Sequence, residues 1–451
     1  MNVDPWRRRP RRYLAGVDWI VAALDRASRR ATGGDNASQV VLVLDGRLDD
    51  ARFTREVAAF TSAFPVLSGR VARAWNLAPF WRIPRRGRPV AVQVHDAGGN
   101  DADTLLARLA NTPPAGRRQA LAFHLVRAGR TRSYVVMRFD HRLFDAQGAE
   151  MFLDLLRRRL DGEDLREPIG NIALRAPAHL TDWHRKFDAG RVFIRTLRAL
   201  RAVAAIRFPR PAAAKGRAFR FRRMVFDEAA TQVAQACATR DAGFLMFMPY
   251  ALAAATGALH EAVRARRIAG REYVVAVSVG QRSPDTAETE VFFNHLSFLL
   301  FSIPVDAVGD RGRLLATIRV AMYEQVKAGL AEAVAESSML MRILPLSLFS
   351  RAIFFPLRGE FSSFAFSCLQ DGRFTADRFM GVRVRNLYHM PLMPVPPGLG
   401  LVVHRFRDRM AAVLCYLEGI LTEGEAEAVE QAFRRRMTPN GTGTPGEQEV
   451  P

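Results

Sequence analysis

Apolar residues recur along the chain in two rhythms, which predict alternating strands and helices. Val40 to Leu44 is a short apolar run that ends at an Asp-Gly pair, a pattern typical of a buried strand. Residues 49 to 64 instead carry large apolar side chains at helical spacing: Phe53, Val57, Phe60 and Phe64. A strand followed by an amphipathic helix is therefore expected at the start of the fold.

The same alternation continues to residue 160. Leu121 to Arg127 and Ser133 to Phe139 predict paired strands joined by a turn. His141 follows the second strand almost at once. Gln147 to Leu160 then predicts an amphipathic helix, whose inward-facing residues are Met151, Phe152, Leu155 and Leu156.

A break in the pattern divides the chain into two halves. Residues 186 to 217 are rich in Arg and Ala and contain Pro209 and Pro211, which predicts a helical connector with a linker. The second half repeats the mixture, with predicted strands at 219–226, 272–279, 296–303, 362–369, 399–405 and 410–417, and predicted helices at 227–238, 244–260, 331–357 and 423–437. We expect an α/β (α+β) fold with large antiparallel sheets, divided into residues 1–185, a connector at 186–217, residues 218–437 and a disordered tail at 438–451.

Composition narrows the classes of partner. A chain of 451 residues is too long for one ordinary core, and its formal net charge is +21, mostly from Arg. Such a charge suits nucleic acid, an anionic membrane surface or phosphate-bearing substrates, although a genome that favours Arg codons would produce it as well. The Arg runs lack interleaved aromatic residues, so no nucleic-acid partner is expected. The three cysteines are widely spaced and predict neither a disulfide framework nor a zinc site.

The sequence predicts a cytoplasmic protein, with peripheral membrane contact as an alternative. The basic N-terminus has no apolar run of the length found in signal peptides. The most apolar stretch, Met339 to Phe355, is interrupted by Arg342, Pro345 and Arg351, so it does not predict a membrane span. It predicts either a packed helix pair or a lipid-facing surface.

The strongest candidate for chemistry is the segment from Asp140 to Gly148, with the sequence DHRLFDAQG. It places His141 at the exit of a strand, with Asp145 four residues later. Loops at strand ends often hold catalytic groups, and imidazole side chains exchange protons near neutral pH. His141 is therefore a candidate general base. The alternative is a surface histidine beside a helix-capping aspartate.

This segment resembles the HHxxxDG motif of peptide-synthetase condensation domains, wax ester synthases and polyketide-associated acyltransferases. It is also similar to the HxxxDG motif of plant-type BAHD acyltransferases and of chloramphenicol acetyltransferase. Supporting similarity lies at residues 64–70, 277–304, 364–369 and 397–399, and the order fits from about residue 13 to 437. The resemblance implies two chloramphenicol-acetyltransferase-like halves that form a V-shaped pseudo-dimer with a central tunnel.

Two positions depart from the motif. Asp140 replaces its first histidine, and Ala146 replaces its glycine, which calls for a backbone that alanine can adopt. The chain also lacks a DFGWG segment, which argues against a plant-type BAHD enzyme. Since no adenylation or carrier domain accompanies the motif, a free-standing protein of lipid or secondary-metabolite biosynthesis is expected.

The resemblance implies a reaction and a set of residues. A CoA or acyl-carrier-protein thioester would donate an acyl group to a hydroxyl or amine acceptor, with His141 as general base and with no metal and no bound cofactor. Asp145 would be structural and paired with Arg70 or Arg282. Asn294 and Ser367 would line the substrate channel, whereas His389 and His404 are interpreted as ordinary core or edge residues. Two alternatives stay open: a catalytically inactive binding module, and a basic membrane-associated protein.

Overall fold

A computed structural model describes residues 11–98, 101–113, 120–174, 182–355, 359–360, 362–370 and 372–439. Over these residues the chain forms two six-stranded sheets and a three-stranded sheet, with helices packed around them. The tail predicted at 438–451 lies almost wholly outside the described residues.

The strands fall into three groups. The first large sheet has the order β12-β13-β2-β7-β6-β5, and its strands are β2 (Ala37–Leu44), β5 (Val92–Asp96), β6 (Leu121–Ala128), β7 (Arg132–Asp140), β12 (Arg378–Phe379) and β13 (Val382–Pro391). The second has the order β10-β9-β11-β14-β15-β8, and its strands are β8 (Phe219–Phe226), β9 (Glu272–Gly280), β10 (Leu296–Pro304), β11 (Phe364–Leu369), β14 (Leu399–Phe406) and β15 (Arg409–Leu417). The small sheet consists of β1 (Arg11–Tyr13), β4 (Pro79–Arg82) and β3 (Arg70–Arg73).

Twelve helices are present in the part of the chain that the structure describes. They are α1 (Gly16–Thr32), α2 (Asp50–Ser62), α3 (Ala102–Asn111), α4 (Ala146–Leu160), α5 (Arg166–Gly170), α6 (Trp183–Ala202), α7 (Glu228–Asp241), α8 (Phe247–Ala265), α9 (Arg311–Lys327), α10 (Leu330–Met341), α11 (Leu346–Ala352) and α12 (Glu423–Met437).

Strand β2 lies inside the first sheet and shows why its sequence reads as one apolar run. All eight of its residues are buried, because β13 and β7 pair with it on either side and hydrophobic clusters cover both faces of the sheet, with Val40 and Leu42 in one and Val41 and Val43 in the other. Helix α2 begins after Asp49, whose side chain accepts a hydrogen bond from the amide of Arg52. This cap satisfies one of the free amides at the helix start. The predicted strand and helix are both confirmed.

Two strands of the first sheet, the short β12 and the longer β13, come from the second half of the sequence. Strand β13 runs alongside β2, with Val384 opposite Leu44 and Pro391 opposite Ser38. The segment predicted as the second half, 218–437, therefore contributes to both large sheets. A single hydrophobic core contains buried residues of both sheets, such as Leu42 and Leu401. The two halves are consequently joined by a shared strand and a shared core.

Mixed α/β architecture was expected and is confirmed, but neither large sheet is purely antiparallel. In the first sheet, β5 pairs in parallel with β6. Strand β11 pairs in parallel with both β14 and β9. The predicted helix at 331–357 is divided into α10 and α11, and α11 begins directly after Pro345. Proline lacks the amide hydrogen that a continuous helix would need there. Among the described residues, no helix is long and apolar enough to cross a membrane.

Candidate active site at the junction of the two halves

The loop that carries the motif is clamped between the halves. Strand β7 ends at Asp140, and helix α4 begins at Ala146, so the loop between them is short. The backbone amide of Phe293, from the second half, donates to the carbonyl of Leu143 in this loop at 2.6 Å. Phe144 and Phe293 also form a single β-bridge. Leu143 and Phe144 are fully buried. Packing from the second half therefore fixes the loop that holds His141.

His141 is half-buried, and one amide side chain sets its orientation. Nδ1 of His141 lies 3.2 Å from Oδ1 of Asn294, and Nδ2 of Asn294 donates to the backbone carbonyl of His141 at 2.9 Å. Because Nδ2 faces acceptors, Oδ1 is the atom that faces the ring. An amide oxygen only accepts, so the proton of the imidazole belongs on Nδ1. Nε2 then keeps the free lone pair that a general base requires.

Asn294 is held in turn by a buried carboxylate from helix α1. Oδ1 of Asp18 accepts from the backbone amide of Asn294 at 3.1 Å and from its Nδ2 at 3.3 Å. The other oxygen accepts from the Ala15 amide at 2.8 Å and from the guanidinium of Arg12. Phe293, just before Asn294, has a left-handed backbone with a φ of 74°. Such a conformation is costly for a bulky residue, and the clamped surroundings maintain it.

Asp145 is bonded to Arg282 and not to His141. Nη2 and Nη1 of Arg282 donate to its two oxygens at 2.7 and 2.9 Å, and both side chains are about 4% exposed. The amides of Gly148 and His295 donate at 2.8 and 2.9 Å. Burial alone would raise the pKa of Asp145, but the charge and hydrogen bonds of Arg282 outweigh it and hold the pKa below its usual value. Asp145 therefore caps α4 and ties it to the second half.

Of the two arginines that the sequence offered as partners of Asp145, the structure pairs it with Arg282. Arg70, the other candidate, lies exposed at the start of β3. It lines a cavity of about 660 Å³, together with Arg82 and Arg88. Ala120 lies on the same cavity wall, and its carbonyl accepts the backbone amide of Asp140 at 2.8 Å. Ala120 therefore connects the cavity wall to Asp140, the residue before His141, although the motif loop does not itself line the cavity.

The two departures from the motif have local explanations. Ala146 is the first residue of α4, where its backbone is helical, so no glycine is needed. At Gly148, a Cβ atom would lie 2.3 Å from the carbonyl oxygen of Val291, so this position excludes a side chain. Asp140 pairs with Arg142, whose Nε lies 2.9 Å from Oδ1. Burial would raise the pKa of Asp140, but the charge of Arg142 and its hydrogen bonds lower it overall.

The remaining predicted site residue lies on the second sheet. The hydroxyl of Ser367 on β11 lies 3.0 Å from that of Ser278 on β9. Its place in a substrate channel stays a prediction, as does the central tunnel.

Sequence reasoning missed Asp18 and a second group of side chains. Asp18 carries no motif, and its only local signal is its place in the first turn of a helix. The second group consists of Glu150, His389 and His404, which are buried together. The interpretation of the two histidines as core residues is correct for their burial, but it did not anticipate their common partner.

Comparison with known proteins identifies the fold. A scan against protein-family models finds no match. A search of curated proteins also finds none. Solved structures do match, among them the first condensation domain of the calcium-dependent antibiotic synthetase in complex with a substrate analogue. It is 16% identical, covers 95% of each chain and has a TM-score of 0.66.

Two further solved structures, an acetyltransferase and a starter condensation domain, also match over nearly the whole chain. The trichothecene 15-O-acetyltransferase of Fusarium sporotrichioides is 12% identical, covers 95% of each chain and has a TM-score of 0.67. A variant of the starter condensation domain of rhizomide synthetase, in complex with C8-CoA and Leu-SNAC, is 13% identical, covers 97% of this chain and 96% of its own, and has a TM-score of 0.63. The chain therefore shares the fold of these condensation domains and of this acetyltransferase, as the resemblance of its sequence implied.

Proposed function

We propose that this protein is an acyltransferase that moves an acyl group from a CoA or acyl-carrier-protein thioester to a hydroxyl or amine acceptor. The observation that carries the proposal is His141, held at the junction of the halves with its proton on Nδ1 and its Nε2 free. The motif, its place on the strand-exit loop and the fold all support the same chemistry.

The reaction follows from that geometry. Nε2 of His141 takes the proton of the acceptor as the acceptor oxygen or nitrogen attacks the thioester carbonyl carbon. The carbon–sulfur bond breaks, and the leaving thiolate receives the proton from the imidazolium. An ester or amide and a free thiol result, with no acyl-enzyme. Asn294 stabilises the imidazolium because its oxygen accepts from Nδ1 throughout.

Asp145 has a structural part in this proposal. Its oxygens accept from Arg282, the Gly148 amide and the His295 amide, and this leaves it no contact with the acceptor. Its role is to keep the loop before α4 in place against the second half.

The cavity whose wall includes Ala120, the backbone partner of Asp140, supports an anionic donor. Its three arginines, Arg70, Arg82 and Arg88, would attract the phosphates of CoA or of a carrier-bound pantetheine. The complex of the rhizomide starter condensation domain with C8-CoA makes a fatty acyl-CoA the first donor to test.

A screen for thiol release tests the proposal. Purified full-length chain is mixed with acyl-CoAs of graded length and with panels of alcohols and amines, and free CoA is measured with a thiol reagent. The expected result is CoA release that depends on the acceptor, with a matching ester or amide found by mass spectrometry. If neither acyl-CoAs nor acyl-carrier proteins release thiol while the protein is folded, the inactive binding module is the better description.

A further inference from the structure

Three buried side chains from different elements meet behind the motif helix. Glu150 lies on α4, and His404 lies on β14 of the second sheet. His389 lies on β13, which the second half of the sequence contributes to the first sheet. The exposed fractions of Glu150, His389 and His404 are 1%, 2% and 1%. The three residues therefore join the helix that follows His141, the first sheet and the second sheet at one point.

The ring nitrogens converge on one oxygen of the carboxylate. Oε1 of Glu150 lies 2.7 Å from Nε2 of His389 and 3.0 Å from Nε2 of His404, and the donor atoms all lie within 4.8 Å of one another. At zinc–ligand distances of about 2.1 Å, the donors of a tetrahedral site lie about 3.4 Å apart, so the rings would move by less than about 1 Å to admit an ion. Two imidazoles and one carboxylate are also a recurrent ligand set for first-row transition metals.

The second oxygen of Glu150 is held by backbone amides. Oε2 accepts from the amides of Arg373 and Phe374 at 2.5 and 3.2 Å. A Cβ atom on Gly372 would lie 3.1 Å from this oxygen and 3.4 Å from Nε2 of His404, so the loop closes tightly over the cluster. Outer contacts of this kind fix the direction of a metal-binding carboxylate. Here they leave Oε1 directed at the two rings.

The charge of the cluster favours a cation. Among the residues that the structure describes, the ion-pair partners of Glu150 are the two histidines, and no Lys or Arg side chain reaches it. Carboxylates that are buried away from water are generally paired with a cation or bound to a metal.

We propose that Glu150, His389 and His404 bind a divalent transition-metal ion such as Zn²⁺. The ion pins α4 to both sheets and so stabilises the junction that holds the motif loop. It does not contact the reacting groups, and its presence is independent of the acyl-transfer proposal. The site departs from our sequence-based prediction of no metal, because its ligands lie on three separate elements and form no local motif.

Metal analysis of the intact chain tests this site without any activity assay. Protein without a histidine tag is produced in medium supplemented with Zn²⁺ or with Co²⁺, dialysed, and analysed by mass spectrometry for metals. About one equivalent of metal per chain is expected, since the ligands form one site. The Co²⁺ protein should also show visible absorption from ligand-field transitions. Removal of the metal by a strong chelator should lower the melting temperature.

Matched variants separate this site from adventitious binding. Glu150→Gln and His404→Gln should each reduce the bound metal by at least about 10-fold, whereas His184→Gln, at an exposed histidine of α6, should retain the wild-type amount. Wild-type protein that is free of metal under both growth conditions would overturn the proposal, and this result needs no variant to fold. Equal metal in wild type and Glu150→Gln would overturn it as well, and a purely hydrogen-bonded cluster would then be the better description.

Discussion

Asn294 makes two hydrogen bonds to one residue, His141, and thereby controls both its backbone and its ring. The anchor of Asn294 is Asp18, which lies 276 positions away in the sequence. The family resemblance placed Asn294 in the substrate channel, but it gave no partner for the side chain, so neither contact could be derived from the sequence. The sequence did identify His141, because a strand exit, an aspartate four residues later and an amphipathic helix are local features.

Replacing Asn294 with Ala should impair catalysis more than folding. The ring of His141 would lose the acceptor that holds its proton on Nδ1, and misplacement of a reacting group can cost about 10²-fold in rate. We expect kcat to fall by about this factor, with KM for the donor nearly unchanged. Steady-state kinetics across pH 6 to 9 provide the check. An unchanged kcat at every pH would show that Asn294 does not orient the base.

Replacing Asp145 with Ala should destabilise the protein. Arg282 would be left as a buried charge without an anionic partner, at a cost of about 3–5 kcal/mol in the free energy of unfolding. Chemical denaturation at pH 7 measures this loss. Normal stability combined with a selective loss of turnover would instead make Asp145 a participant in the reaction.

The loss of stability caused by Asp145→Ala should depend on pH, and the pKa shift of Asp145 gives the direction. Folding lowers the pKa of Asp145 below its ordinary 3.8, so its stabilising effect is complete above that value and is lost as the pH falls through the folded pKa. The difference in stability between wild type and Asp145→Ala should therefore be constant from pH 7 to 5 and narrow below about pH 4.

Helix α4 owes its position to a glycine in its first turn. Gly148→Ala would place a Cβ atom 2.3 Å from the carbonyl oxygen of Val291, so helix and loop must separate. Overpacking of this kind typically costs about 1–3 kcal/mol. Gly190 in α6 is a matched control, because a Cβ atom there meets nothing within 4 Å, and Gly190→Ala should stabilise by about 0.5–1 kcal/mol. Melting temperatures that change in the same direction for both variants would contradict this account of Gly148.

Local pattern predicted those elements whose signal lies within their own residues. The run from Val40 to Leu44 in β2 is apolar because both of its faces are buried, and α2 has its large apolar side chains on one face. The predicted helix at 244–260 begins three residues later, as α8 at Phe247. Strand β13 escaped prediction, because its main partner, β2, lies near the start of the chain. Local periodicity contains no information about such a distant partner.

At the scale of the whole molecule, both halves of the sequence contribute side chains to the site and its surroundings. Strand β13 brings His389 beside α4, and Asn294 and Arg282 reach the motif loop from the second half. The resemblance implied the pseudo-dimer, and the fold confirms it. The choice between Arg70 and Arg282 required the structure, because both arginines fit the sequence pattern equally well.

The apolar segment Met339 to Phe355 is partly packed and partly exposed, and its lipid-facing role stays a prediction. Phe349 and Phe354 are buried, whereas Leu348 and Phe355 are 52% and 69% exposed. With a net charge of +21, we expect the protein to bind anionic vesicles at low salt and to be released as salt rises. Leu348→Ser with Phe355→Ser should weaken co-sedimentation, whereas Phe244→Ser, another exposed position, should not. Full retention in the supernatant at low salt would leave the segment a packing element alone.

The central claim is that His141 is the general base of an acyl transfer. The most direct test compares wild type, His141→Ala and the control His184→Ala for acceptor-dependent thiol release, with thermal melting of each protein alongside. Loss of a general base should lower this rate by about 10²–10⁴-fold, while the melting temperature and donor binding change little. His184→Ala should keep the wild-type rate. Equal acceptor-dependent turnover in wild type and His141→Ala would contradict the mechanism.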